Sequence, residues 1–176
     1  MQLSNLIITV FLFCPGLCLG QTEHLFNRVV VSKREMRLVV LAQQGDTLAV
    51  YRIACGTNYG DKQCEWDSRT PEGRFEIEAV ENPADWTFDF ADGAGPVKAY
   101  GPLFFRLSIP GYTGIGIHGT HRPESVPGRT THGCIRLRNA DVLALSRLAG
   151  VGTEVVILPD EITATADQSE HPEMTI

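Results

Sequence analysis

The chain has 176 residues and a formal charge of 15 − 21 = −6 with its histidines neutral. That length suits one domain with a full core, and 43% apolar against 20% charged residues argues against a disordered or membrane-embedded chain. The mild acidity argues against nucleic acid or another polyanion as the main partner.

Residues 1–20 carry no charged side chain, and their apolar run from Leu6 to Phe13 is broken by Pro15-Gly16. A spanning helix needs about 20 apolar residues, so this run fits a secretory signal peptide and not a stable membrane anchor. Cys18-Leu19-Gly20 offers a small-x-small cleavage site. The expected compartment is therefore outside the cytoplasm: the periplasm or cell wall of a bacterium.

From Asn27 to Lys33 and from Met36 to Ala42 the chain is rich in Val and Leu, with a polar joint between them, which predicts a hairpin. Gly45-Asp46 predicts a second turn before a strand over residues 47–54. Phe75, Ile77 and Ala79 alternate with Glu76 and Glu78, the pattern of a half-buried strand. Residues 103–109 and 115–118 read as further strands. One helix is predicted, capped by Asn139, with Asp141 in its first turn and Val142, Leu145, Leu148 and Ala149 on one face. Residues 153–158 form a last strand, stopped by Pro159. Seventeen glycines and ten prolines add many turns. The expected fold is mostly β: an antiparallel sandwich or flattened barrel over residues 21–159, with one short helix after Cys134. The tail 160–176 holds Asp160, Glu161, Asp167, Glu170 and Glu173 with no Lys or Arg, and is expected to be mobile.

Removal of residues 1–20 leaves Cys55, Cys64 and Cys134. In an oxidising compartment cysteines tend to pair. Cys55 and Cys64, close in sequence across a turn, are the candidate disulfide, which makes Cys134 the odd thiol. Its surroundings are unusual: Ile117-His118-Gly119-Thr120-His121, then Thr130-Thr131-His132-Gly133-Cys134-Ile135-Arg136. From His118 to Arg138 the charges are Arg122, Arg129, Arg136 and Arg138 against Glu124, which points to a local anion site. Cations and histidines beside a thiol favour the thiolate, and a Cys–His pair is the general recipe for a sulfur nucleophile. The N–H groups of Gly133 and Cys134 are candidate oxyanion donors. Spacing alone leaves either His132 or His118 as the base.

These residues resemble the active-site signature of the L,D-transpeptidases (YkuD-type catalytic domain). Gly56-x-Asn58-x-Gly60-Asp61-Lys62 and Asp67-x-Arg69-Thr70-Pro71-Glu72-Gly73 are similar to a second, upstream motif of that family. One departure is Trp66, where the family often has Gly. The resemblance implies Cys134 as nucleophile and His118 as base, its ring oriented by the Gly119 carbonyl. His132 and Gly133 would line the pocket, and Arg136, with Thr131, would meet substrate. It implies a lid, for which the aromatic segment Asp85 to Gly101 is the candidate. The implied reaction takes peptidoglycan tetrapeptide stems as donor, releases D-Ala and transfers the acyl group to an amine. Carbapenem-type β-lactams are the implied covalent inhibitors, and no cofactor is needed. Water as acceptor would make the same site an L,D-carboxypeptidase. Two other classes compete: a zinc site from His118, His121, His132 and Cys134, disfavoured by the lack of CxxC or HExxH spacing, and a silent wall-binding module, which needs neither Cys134 nor His118.

Overall fold

The Val- and Leu-rich runs form the expected hairpin, β1 (Arg28–Ser32) and β2 (Arg37–Leu41). Its register sets Val29 against Val40 and Val31 against Leu38. All four are fully buried, so one face of the hairpin is core. β3 (Thr47–Arg52) and β4 (Ala54–Gly56) follow, then β5 (Gly73–Glu81), β6 (Phe104–Ser108), β7 (Gly116–His118), β8 (Gly128–Thr131) and β9 (Ile135–Arg136). A helix, α1 (Asn139–Leu145), and a last strand, β10 (Glu154–Leu158), complete the fold. This computed structural model describes residues 27–160; the expected signal peptide and the tail from 161 lie outside the described residues.

The ten strands form one hydrogen-bonded sheet in the order β3-β2-β1-β10-β5-β6-β7-β9-β4-β8. Side chains from both halves, among them Val29, Leu38, Ile117 and Ile135, share one core with Val142 and Leu145 of α1. The sheet therefore folds over on itself, as a sandwich must. It is mixed and not purely antiparallel: β1 pairs with β10, β7 with β9 and β4 with β8 in parallel. Local apolar patterning predicts strands but not which distant segments pair. Here the last strand inserts between β1 and β5, and β9 returns beside β7 after a crossover holding a 3-10 turn at Pro123–Ser125.

Asn139 does not cap α1. The N-cap is Arg138, without a side-chain cap bond, and the Asn139 amide turns to the loop after β7. The helix also ends before Leu148 and Ala149, which still pack on the core.

Two further sequence expectations are corrected. Cys55 and Cys64 are both free thiols: Cys55 is buried with its sulfur 3.9 Å from Met36 Sδ, whereas Cys64 is exposed. β4 aims one inward and the loop turns the other out. Asp160, placed with the mobile tail, is instead an anchor. Its carboxylate pairs with Lys33 at 3.2 Å and with Arg129, and accepts from Gly60 N at 2.8 Å. Lys33, with 0% side-chain exposure, also donates to Glu72 at 2.7 Å and to the Gly60 and Thr70 carbonyls. This cluster pins the loop after β4 to the end of β10. Arg129, which lies over the Tyr59 ring at 3.7 Å, is part of it and not a solvated charge.

Removing one partner of a buried ion pair strands the other. Asp160→Ala is therefore expected to destabilise the fold by about 3 kcal/mol, read as a shift in urea-denaturation midpoint. Burial alone would raise the Asp160 pKa, but donors from Gly60, Arg129 and Lys33 hold it below the usual carboxylate value of 3.8. A depressed carboxylate stabilises above its unfolded pKa and loses that contribution as pH falls. The difference between wild type and Asp160→Ala should thus shrink on acidification below that value.

Candidate active site

The parallel pairing of β7 with β9 builds the site. Ile117 lies opposite Ile135 and His118 opposite Arg136, which places Cys134, one step before β9, level with the start of β7. Cys134, His118 and Arg136 line one cavity of about 420 Å³. Its other walls carry Phe88, Phe90 and Tyr100 from the segment between β5 and β6, and Lys62, Trp66 and Tyr112 from two further loops.

His118 is buried at the end of β7, with Nδ1 2.6 Å from the Gly119 oxygen. A carbonyl only accepts, so Nδ1 carries the proton and Nε2 is left as an acceptor. The ring is stacked on Phe104, with centroids 5.5 Å apart and planes 9° apart, and meets the Tyr100 ring edge-on at 5.1 Å. Burial drives its pKa down to about 4, helped by the Arg136 charge, while the Gly119 and Tyr100 carbonyls oppose the shift. The Cys134 thiol is half-buried and donates to the Gly114 oxygen at 3.5 Å. Burial raises its pKa; the Gly116 N–H and the charges of Arg136, Arg106 and Lys62 act in the opposite direction. Cations in the segment thus fall short of ionising the sulfur: both groups rest neutral near pH 7. His132 is exposed and packs against Phe88, centroids 5.5 Å apart, and Phe90.

The turn from Thr131 to Cys134 is self-contained. Thr131 Oγ1 donates to the Cys134 carbonyl at 2.6 Å and accepts from Gly133 N at 3.2 Å. The Thr131 hydroxyl thus braces the turn while the residue lines the cavity, and Gly133 N–H already has a partner within the turn. Among the described residues Cys134 N–H has no hydrogen-bond partner, which leaves it available. Gly133 has φ +133°, and a Cβ there would lie 2.9 Å from the Arg69 oxygen, so only glycine fits.

Arg136 is buried, donating through Nη1 to Ser125 Oγ at 3.0 Å and Thr130 Oγ1 at 3.4 Å. Its Nε has no partner, and among the described residues no carboxylate pairs with it.

The upstream motif shapes the opposite wall. Asp67 accepts from Lys62 Nζ at 2.8 Å and from the backbone N–H of Gln63, Cys64 and Arg69. Burial opposes ionisation, but these donors hold its pKa far below the usual carboxylate range. Trp66, 75% exposed, has φ +62°, a left-handed conformation that glycine adopts more readily than tryptophan. His121, which the sequence offered only as a zinc ligand, has buried ring nitrogens without partners among the described residues, and its ring lies against Phe90. Sequence reading missed Asn139 beyond helix capping. The candidate lid carries one short antiparallel bridge, Phe88 to Val97, and is tied by Asp92 to Arg122 at 3.6 Å. Trp86 leaves the cavity to pack on Tyr100 and Phe104. No group of three or more His, Cys, Asp or Glu among the described residues could hold a metal.

Fold and cavity together define a mixed-β domain with a cysteine and a histidine on one wall of a partly cationic pocket. The sequence matches the YkuD family, the L,D-transpeptidase catalytic domain, over residues 27–157. YqjB of Bacillus subtilis, which carries the L,D-transpeptidase name, is 33% identical over 146 residues, covering 81% of this chain and 77% of YqjB. YbiS of Escherichia coli, named for the same activity, is 28% identical over 90% of this chain and 53% of its own length. Among solved structures, the helical cell shape determining protein Pgp2 from Campylobacter jejuni superposes with a TM-score of 0.62 at 25% identity, covering 77% of this chain and 48% of Pgp2. L,D-transpeptidase 3 from Mycobacterium tuberculosis, in complex with a faropenem-derived adduct, shares the fold with a TM-score of 0.56 at 17% identity, over 76% of this chain and 60% of that one. The chain spans about half the length of YbiS and Pgp2. It belongs to the YkuD family of L,D-transpeptidase catalytic domains.

A neutral thiol and a neutral imidazole in one cavity make a specific prediction. Alkylation of Cys134 by iodoacetamide, followed by intact mass, should be slow at neutral pH and keep rising through the ordinary thiol value of 9.0. A pre-formed thiolate–imidazolium pair would instead give a plateau of fast reaction from mildly acidic pH upward.

Proposed function

We propose that this chain is an exported, cysteine-dependent L,D-transpeptidase acting on peptidoglycan stem peptides in the periplasm or cell wall. The observation that carries the reading is Arg136: a buried guanidinium with an unpartnered Nε, in the cavity of Cys134 and His118. Leaving such a cation without a carboxylate is unfavourable unless a ligand supplies one, and a tetrapeptide stem ends in a carboxylate. Export rests on the apolar leader in residues 1–20. Among the described residues no helix is long and apolar enough to cross a membrane.

In this mechanism Cys134 Sγ attacks the carbonyl carbon of the third stem residue while His118 Nε2 takes the thiol proton. The oxyanion faces Cys134 N–H. Collapse breaks the C–N bond, and His118 returns the proton to the departing D-Ala amine. An acceptor amine then attacks the thioester, loses its proton to His118, and releases the thiolate, which is reprotonated. The acceptor is a second stem, a free D-amino acid or an anchored protein. Cross-links of this kind bear on cell shape, a role that the name of Pgp2 gives to that neighbour. Carbapenem-type β-lactams, with a strained carbonyl and a carboxylate, would acylate Cys134 in the same way, as supported by the adduct on the M. tuberculosis enzyme.

Incubation with purified tetrapeptide-bearing muropeptides should yield a D-Ala-depleted, cross-linked product by mass spectrometry. Trimming without amide formation would assign an L,D-carboxypeptidase, and no reaction a binding module. Cys134→Ala should abolish the acyl adduct, and His118→Ala should slow acylation by about 10²–10⁴-fold. Arg136→Ala should raise the donor KM by about 10–100-fold, the worth of a charge-assisted hydrogen bond, with a smaller effect on kcat. A β-lactam adduct that persists in Cys134→Ala would sink the assignment.

A further inference from the structure

We propose that Asn139 is the third member of the catalytic relay, acting on His118 through the peptide group that joins Gly119 to Thr120. The proposal rests on the reading of His118 as base.

Thr120 N–H donates to Asn139 Oδ1 at 2.7 Å. The carbonyl of that same peptide group, Gly119 C=O, accepts from His118 Nδ1 at 2.6 Å. The two bonds lie in series across one amide: Asn139 polarises the N–H, electron density moves to the Gly119 oxygen, and that oxygen becomes a better acceptor. The result holds the ring in the tautomer with Nε2 bare, and stabilises the imidazolium formed when His118 takes the thiol proton. In protein-based triads a side chain orients the histidine directly. Here the orienting group is a side chain one peptide removed.

The backbone is shaped around this carboxamide. A Cβ on Gly119 would lie 2.4 Å from Asn139 Oδ1, and so would a Cβ on Gly101, which has φ +68°. Two strands of backbone thus approach as only glycines can, with the Asn139 oxygen between them. The neighbouring peptides are also fixed, by Gly119 N–H on Leu103 O at 3.3 Å and Leu137 N–H on the His118 oxygen at 2.8 Å. Asn139 opens a helix whose cap position it does not occupy, so its amide is free for this use. A neutral carboxamide steadies the ring without charging it at rest, in keeping with a His118 that stays unprotonated down to about pH 4.

The groups that face His118 are Gly119, Tyr100, Phe104 and Arg136, with the titratable Cys134 in the same cavity. None changes in the two test variants, Asn139→Ala and Asn139→Asp. His118 is titrated by NMR in the free protein, and Cys134 acylation by faropenem is followed by intact mass across pH. In Asn139→Ala the acylation rate should fall about tenfold, the share of one well-made hydrogen bond, and both the His118 midpoint and the acid limb of the rate profile should move to lower pH. Asn139→Asp, isosteric and still an acceptor, should recover rate relative to Asn139→Ala and move both to higher pH. A rate loss in Asn139→Ala with an unmoved His118 midpoint would mean that Asn139 only supports the loop, and overturns the relay. The NMR midpoint is read without turnover, so it tests the relay separately from the reaction. Failure of wild type to acylate at Cys134 would instead reject the proposed activity. If Asn139→Ala does not fold, an unmoved midpoint in folded Asn139→Asp overturns the relay equally.

Discussion

The hydrogen bond from His118 Nδ1 to the carbonyl of the next residue, at 2.6 Å, is the constraint on which the site depends. It decides the tautomer, and so decides which ring nitrogen can receive a proton. It can form only because β7 ends at His118 and the chain turns through Gly119, a residue whose position tolerates no side chain. The aromatic rings of Phe104 and Tyr100 then exclude water from the imidazole. Exclusion lowers the basicity of the ring, while two carbonyls keep the cation accessible once it forms. A buried neutral histidine of this kind also bears on stability: its pKa lies below the ordinary 6.5, so the unfolded chain binds protons first as pH falls from there toward about 4, and the fold weakens in that window.

The rest of the molecule keeps charges in prescribed places. Lys33, Glu72, Arg129 and Asp160 neutralise one another beneath the loop after β4, and Lys62 with Asp67 does so beside the cavity. Arg106 is held by Glu81 at 2.8 Å while lying over the Phe104 ring. Against that background Arg136 stands out as a buried cation with hydroxyl partners only. Arg69 Nε is likewise buried without a partner, but of the two arginines Arg136 is the more fully buried and the one that lines the cavity of Cys134 and His118, which makes its lack of a carboxylate informative.

Much of this was legible in the sequence, for reasons that can be named. Alternating Val and Leu identify β1, β2 and β10 because one face of each is core. The cationic, histidine-rich surroundings of Cys134 mark it as the odd thiol, whereas His118 is singled out over His132 only by the resemblance to the family signature, because spacing alone leaves both within reach. What escaped reading depends on long-range placement. The parallel pairing of β7 with β9 joins segments that no local pattern links. Asp160 resembles its acidic neighbours in sequence, yet only the fold brings Lys33 and Arg129 to it. Asn139 satisfies every local rule for a helix cap but finds a better partner in Thr120. Cys55 and Cys64 are near in sequence, and strand direction parts them. The raised thiol pKa of Cys134 was hidden because charge can be counted from sequence whereas burial cannot.

The central claim is that a neutral imidazole, protonated on Nδ1 and bare on Nε2, stands ready to take a proton from a neutral thiol. Nitrogen-15 chemical shifts of the His118 ring in the free wild-type protein at pH 7 test it most directly. The expected spectrum has a protonated Nδ1 and an unprotonated Nε2. A fully protonated ring at that pH, or the proton on Nε2 alone, would contradict it.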